Sequence, residues 1–294
     1  MKRISATLAL LVFLTAAAAQ DVKFSSTSNF VLLDVSVKNS KGGYAPDLSK
    51  DNFQVFENGK LQTITHFSRE DVPVTIGLVI DTSGSMQTKY NEVVTAAMAF
   101  ISASNPRDEI FIVNFNDAVS MGLPAELPFS DNVNQLRAAL SMARPEGRTA
   151  LYDAITIALK HLQLGQRDKK TLVLVSDGGD NHSTHTLDEV RRMVQESRAT
   201  IYTIGLFDES DEDRNPGLLR QLSGVSGGET YLPQETSQVT EICRRVASDM
   251  RARYTIGYVP VGDQAKGSLR KIKVAAQRDG QKLTVRTRTS YLVP

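Results

Sequence analysis

The pattern of apolar and polar positions divides the chain into three stretches. Across residues 30–67, Leu33, Val35 and Val37 alternate with Asp34, Ser36 and Lys38, the period-two signature of a strand with one buried face. The run 53–56 is followed by Asn58-Gly59 and resumes over 61–67, which predicts a type I′ hairpin. From Val74 the pattern changes. Near-continuous apolar runs at 74–80, 110–115, 171–176 and 200–205 suit strands covered on both faces. Between them, Val93, Val94, Ala97, Met98 and Ile101 form one helical stripe, and Leu151, Ile155, Ala158 and Leu162 form another. Thr186 with Glu189 three residues on is a capping box for a helix through Val190 and Val194. Strands alternating with helices predict an α/β fold with a doubly wound, mostly parallel sheet.

A last helix is expected over 236–252, with Val239, Ile242, Cys243, Val246 and Met250 on one stripe. The strand pattern then returns at 254–260, 271–276 and 283–292, the last two joined across an Asp279-Gly280 turn. Neither flank has enough strands to bury a core alone. The expectation is therefore that 25–70 and 254–294 are the two halves of one small β-sandwich, with an α/β domain over 73–253 inserted between them.

Composition narrows the function classes. The 294 residues are 41% hydrophobic, enough for a real core. With 34 basic against 33 acidic residues the net charge is +1, so no global field points to nucleic acid or an anionic membrane. Lys2 and Arg3, an apolar run over 8–14 and Ala16 to Ala19 read as a signal peptide at 1–19, with export to the periplasm, the cell surface or the medium. That run is shorter than the roughly 20 residues of a spanning helix, and no second one follows, so no membrane span is expected after cleavage. Cys243 is the single cysteine, which excludes an intrachain disulfide, and its place on a helical stripe predicts a buried, inert thiol.

The chemistry concentrates in 79–86, where an apolar strand runs straight into Asp81-Thr82-Ser83-Gly84-Ser85. This puts one carboxylate and two hydroxyls, spaced by two, at the carboxyl end of a strand, where open α/β sheets bind ligands. Oxygen-only ligands suit a hard cation. The sequence from Asp81 to Ser85 resembles the DxSxS motif of the metal-ion-dependent adhesion site of von Willebrand factor A domains. Thr149, in Gly147-Arg148-Thr149-Ala150, matches the threonine of that family's third loop, and Asp177, in Ser176-Asp177-Gly178, matches its fourth-strand aspartate. The resemblance covers about 74–253. The flanks, with the segment 51–59 ahead of the domain, resemble those of bacterial exported VWFA-related domain proteins.

What the resemblance implies is a binding protein rather than an enzyme. Asp81, Ser83, Ser85, Thr149 and Asp177 would hold one Mg²⁺, with Mn²⁺ or Ca²⁺ as alternatives. Two carboxylates and three hydroxyls leave a coordination position for an Asp or Glu carboxylate of a protein partner. It also implies that the helix over 236–252 relays occupancy of the site to the sandwich; a rigid packed helix is the competing expectation.

Other signals are weaker. His182 and His185 lack a third and fourth ligand for zinc and are expected to line the rim of the binding face. The acidic run 208–213 lacks the glycine and spacing of an EF-hand. His161 and His66 suggest no role. No phosphate-binding GxxxxGK[ST] loop and no nucleophile elbow is present. Two further functions stay open: a metal-assisted hydrolase, with His182 or His185 as the acid or base, and a structural protein with a vestigial site.

Overall fold

The computed structural model describes residues 30–207, 213–262 and 264–293. The expected signal peptide at 1–19 and most of the acidic run 208–213 lie outside them. In chain order the strands are β1 (Val31–Lys38), β2 (Phe53–Glu57), β3 (Lys60–Gln62), β4 (Ile64–Ser68), β5 (Val74–Asp81), β6 (Glu109–Phe115), β7 (Val119–Met121), β8 (Lys169–Ser176), β9 (Thr200–Gly205), β10 (Thr230–Tyr231), β11 (Tyr254–Tyr258), β12 (Leu269–Arg278), β13 (Gln281–Lys282), β14 (Thr284–Arg286) and β15 (Ser290–Leu292). The helices are α1 (Tyr90–Ala103), α2 (Val133–Ser141), α3 (Leu151–Leu162), α4 (Leu187–Glu196), α5 (Pro216–Ser226) and α6 (Val239–Arg251).

The central sheet has the order β10-β9-β8-β5-β6-β7, parallel throughout except for the edge strand β7. Every residue of β5 is buried because both faces of the sheet are covered. Ile76, Leu78 and Ile80 meet α1, α2 and α6 on one side, and Val79 meets α3, α4 and α5 on the other. This two-sided burial explains why the strand reads as an unbroken apolar run rather than as an alternation. Gly77 sits where the layers are tightest, since a Cβ there would overlap the side chains of Phe111 and Leu172.

The flanks interleave. β1 pairs antiparallel with both β11 and β14, and β12 pairs with β2, β13 and β15, so each of the two outer sheets mixes strands from both ends of the chain. Between them Leu33, Val35, Phe53, Val55, Tyr254, Ile256, Tyr258 and Ile272 form a separate core. The chain leaves this unit at Ser68 and returns beside it, because β4 pairs with β11 with Ser68 opposite Thr255. Both hairpin turns have the left-handed pairs the sequence called for: Asn58 and Gly59 at φ 48 and 81, Asp279 and Gly280 at φ 50 and 77.

Two runs divide differently from their sequence pattern. The stretch 61–67 is two strands: β3 stays with β2, whereas β4 joins β11 in the other sheet. The stretch 283–292 breaks into β14 and β15, again in different sheets.

Polar contacts join the α/β unit to the flanks. Asp249, on α6, accepts from Ser36 Oγ at 2.6 Å, Tyr202 OH at 2.5 Å and Arg253 Nη2 at 2.9 Å. Arg253 also donates to the carbonyls of Gly227 and Asp34. Glu229 pairs with Lys38 at 2.8 Å and Arg286 at 2.6 Å. Arg288 donates to the carbonyls of Gln195 and Ser197, capping the C-terminal end of α4.

Candidate metal centre

β5 is flanked by β6 and β8, and the helices that follow β5 and β8 cover opposite faces of the sheet. The loops leaving the two strands therefore diverge, which opens a crevice at the carboxyl edge of the sheet. Asp81 ends β5, and Asp177 directly follows β8. From Ser83 a short 3-10 turn, Gly84–Met86, folds the chain back over the crevice.

Four of the five expected residues are joined by hydrogen bonds. Ser83 donates to Asp81 Oδ1 from Oγ at 2.6 Å and from its backbone N–H at 2.9 Å. The hydroxyls of Ser83 and Ser85 lie 3.1 Å apart, and Ser85 Oγ donates to Asp177 Oδ2 at 2.6 Å. Asp81, Ser83 and Asp177 are buried, whereas Ser85 is only half-buried, so the cluster reaches solvent at that end. Sequence reasoning passed over Ser176, whose hydroxyl donates to Asp81 Oδ2 at 2.6 Å and accepts from Gly178 N–H. Its place at the polar end of the apolar run 171–176, next to Asp177, carried the only available signal.

Thr149 joins the group through its main chain. Its N–H donates to Asn181 Oδ1 at 2.9 Å, and its carbonyl accepts from Asn181 and His182 N–H at 3.0 and 3.1 Å. The same loop bonds to the first one through Gly84 N–H to the Gly147 carbonyl at 3.0 Å and Glu146 N–H to the Thr82 carbonyl at 2.9 Å. Among the described residues, no hydrogen bond links the Thr149 hydroxyl to the other four.

Electrostatics set this cluster apart. Burial, and then the negative charge of Asp177, push Asp81 up to about 7, although the hydrogen bonds from Ser176 and Ser83 pull the other way. Among the described residues neither Asp81 nor Asp177 has a salt-bridge partner. Two carboxylates converging in a buried crevice, with hydroxyl oxygens as their neighbours, form a hard, anionic donor set. That is the chemistry a Mg²⁺-sized cation fits, and a dication there would offset both the burial and the repulsion that raise the Asp81 carboxyl.

The histidines have other partners. His185 Nδ1 lies 2.7 Å from Asp153 Oδ1. Burial works to raise the Asp153 carboxyl, but hydrogen bonds from Thr184 and His185 outweigh it and hold the group at about 2. His182 Nε2 lies 3.4 Å from Arg148 Nη2, on the rim. Among the described residues no three His, Cys, Asp or Glu side chains form a group that could hold a metal. His161 packs between Phe111 and Phe129.

Comparison with known proteins places this geometry in context. Residues 76–179 match the sequence model of the von Willebrand factor type A domain. Human calcium-activated chloride channel regulator 4 is 28% identical over 190 residues, a match covering 55% of this chain and 20% of that protein. Among solved structures, a von Willebrand factor type A protein from Catenulispora acidiphila superposes with a TM-score of 0.55 at 16% identity, covering 92% of this chain and 75% of that one. Proximal thread matrix protein 1 from the mussel byssus superposes with a TM-score of 0.53 at 13% identity, covering 66% of this chain and 51% of that one. At these identities the structural likeness concerns the fold.

Proposed function

Because this chain carries a von Willebrand factor type A domain, we propose that it is a divalent-cation-dependent binding module of an exported protein, which captures an acidic group of a protein partner. Such domains are in general protein-interaction modules. The observation that supports the metal-dependent reading is the largely buried Asp81–Ser83–Ser85–Asp177 cluster at the crevice, with two carboxylates and, among the described residues, no basic side chain paired to them.

In this reading Asp81, Ser83, Ser85, Thr149 and Asp177 hold Mg²⁺, directly or through water, with Mn²⁺ or Ca²⁺ as substitutes. The bound ion supplies a Lewis-acidic position for an Asp or Glu carboxylate from the partner. The chain's own residues do the rest. Ser176 and the Ser83 N–H fix both oxygens of Asp81. Gly179 N–H, at 2.9 Å from Asp177 Oδ1, fixes the second carboxylate. Capture by ligand exchange needs neither a nucleophile nor a general base. Export is part of the same proposal and rests on the leader pattern at 1–19; no helix among the described residues is long and apolar enough to cross a membrane.

Thermal unfolding with Mg²⁺ and with chelator tests the reading. At a Mg²⁺ concentration about 100 times Kd the folded state gains about 2.7 kcal/mol, equivalent to a rise in Tm of roughly 5–10 °C for a domain of this size. A glutamate-containing peptide on a column should then be retained in Mg²⁺ and eluted by chelator. Identical melting curves with and without Mg²⁺, Mn²⁺ and Ca²⁺ would leave the cluster a structural remnant.

A further inference from the structure

Beside the crevice, the loop 146–149 carries a guanidinium group that the metal site does not use. The loop is fixed on both sides, to Thr82 and Gly84 by its backbone and to Asn181 and His182 through Thr149. Arg148 therefore stands between the loop that supplies Ser83 and Ser85 and the loop that follows Asp177. Its side chain is 61% exposed, yet it is oriented. Asp117 Oδ1 accepts from both the Arg148 backbone N–H at 3.1 Å and its Nε at 3.2 Å. The fit is built into the backbone: Gly147 has φ +78, and a Cβ there would overlap the Asp117 carboxylate. Only glycine lets Asp117 come this close beneath the loop.

Asp117 takes the Nε donor and leaves the two Nη groups of this exposed side chain. Nη2 makes a long contact of 3.4 Å with His182 Nε2, and no hydrogen bond engages Nη1 among the described residues. With Nε tied to Asp117, the Nη1–Nη2 edge is the side left over, touched only at Nη2 by the long contact with His182 among the described residues. Two parallel N–H donors in that plane match a carboxylate in bidentate geometry. The exposed pairing with Asp117 is itself weak, so its role is to aim the group rather than to neutralise it.

We propose that Arg148 is a second recognition point, and that the partner segment carries two acidic side chains: one for the metal centre and one for the Nη1–Nη2 edge of Arg148. This inference rests on the metal-dependent binding reading and adds the partner's class, a diacidic peptide segment. Specificity then comes from the pair of carboxylates, because a single acid occupies one point only.

The test uses six fluorescein-labelled peptides in a Gly-Ser background: one with no acid, one with a single Glu, and four with two Glu residues at spacings of one, two, three and four. Anisotropy is read in Mg²⁺ and in chelator with the full chain, Arg148→Ala and Arg148→Lys. The full chain should bind the best diacidic peptide about 10-fold tighter than the monoacidic one, the gain of one charge-assisted bidentate pair. Arg148→Ala should abolish that ratio while leaving the monoacidic affinity and the Mg²⁺-induced Tm shift unchanged. Arg148→Lys keeps the charge but not the fork and should retain less than half of the gain in log Kd. Equal affinity of the full chain for monoacidic and diacidic peptides, or a ratio unchanged in Arg148→Ala, overturns the proposal while leaving the metal reading standing. Binding of acidic peptides that is absent or indifferent to Mg²⁺ overturns the proposal, and the Tm shift then separates the two readings: a chain that still melts higher in Mg²⁺ keeps its metal site, and one that does not loses both.

Discussion

Replacing Asp249 by Asn tests whether the join between the α/β unit and the flanks is electrostatic in origin. Asp249 and Arg253 are 1% and 3% exposed, so the pair is held out of water. In Asp249→Asn the guanidinium keeps the carbonyls of Gly227 and Asp34 but loses its only counter-charge among the hydrogen bonds described. Breaking a buried pair by neutralising one partner typically costs about 3–5 kcal/mol, which for a chain of this size lowers Tm by roughly 6–20 °C. Burial works to raise the Asp249 carboxyl, but the charge of Arg253 and hydrogen bonds from Ser36, Tyr202 and Arg253 outweigh it and hold the group at about 2. Because the folded value lies below the unfolded one of about 3.9, the stability from this group is complete above about pH 4. It is lost as the pH falls through 2. Urea unfolding followed by circular dichroism at pH 7, 4 and 2.5 should therefore show the gap between parent and variant narrowing only at the most acid point. The double variant Asp249→Leu with Arg253→Met should recover much of the loss, since a matched apolar pair leaves no stranded charge. A cost below about 1 kcal/mol at pH 7 would refute the argument, because it would mean that water or another group already screens Arg253.

Other expectations follow from individual contacts. Asp81→Asn should abolish any Mg²⁺-dependent rise in Tm yet melt no lower than the parent in chelator, since it removes one of two facing carboxylates; calorimetric titration with Mg²⁺ provides the independent check. Thr186→Ala removes the hydroxyl that accepts from Glu189 N–H at the start of α4 and should cost about 1 kcal/mol in chemical denaturation. Cys243 is buried, and burial pushes its thiol up to about 12. Ellman's reagent at pH 8 should leave it untouched in the native protein and label it fully in urea. Gly147→Ala forces a side chain at φ +78 against Asp117 and should destabilise by about 1–3 kcal/mol, visible as a lowered Tm.

The central sheet was legible because its chemistry is local. Strands covered on two faces must be apolar at every position, and the capping box of Thr186 and Glu189 names its own helix. The division of 61–67 was not legible, because Leu61 to Gln62 and Ile64 to Ser68 choose partners some 200 residues apart in sequence or next door. Helix α5 was overlooked although Asn215-Pro216 opens it and Gly227, at φ 86, closes it. Its apolar stripe is short, and it lies beside the acidic run that drew attention instead. In the candidate site, spacing by two exposed Asp81, Ser83 and Ser85, and the end of an apolar run marked Asp177. The support from Ser176, Asn181 and Asp117 depends on loops 30 or more residues apart meeting at one edge, which no linear pattern records.

The capping of α4 by Arg288 and the pairing of Glu229 with Lys38 and Arg286 bear on how this molecule is to be handled. An excised fragment spanning only 73–253 would strip the last carbonyls of α4, strand Glu229, and remove the Ser36 hydroxyl from Asp249. Recombinant work on the recognition loops is therefore better served by keeping both termini and exchanging short segments at the crevice. The α/β unit is chemically grafted onto its frame, and a clean cut between the two leaves raw edges on each.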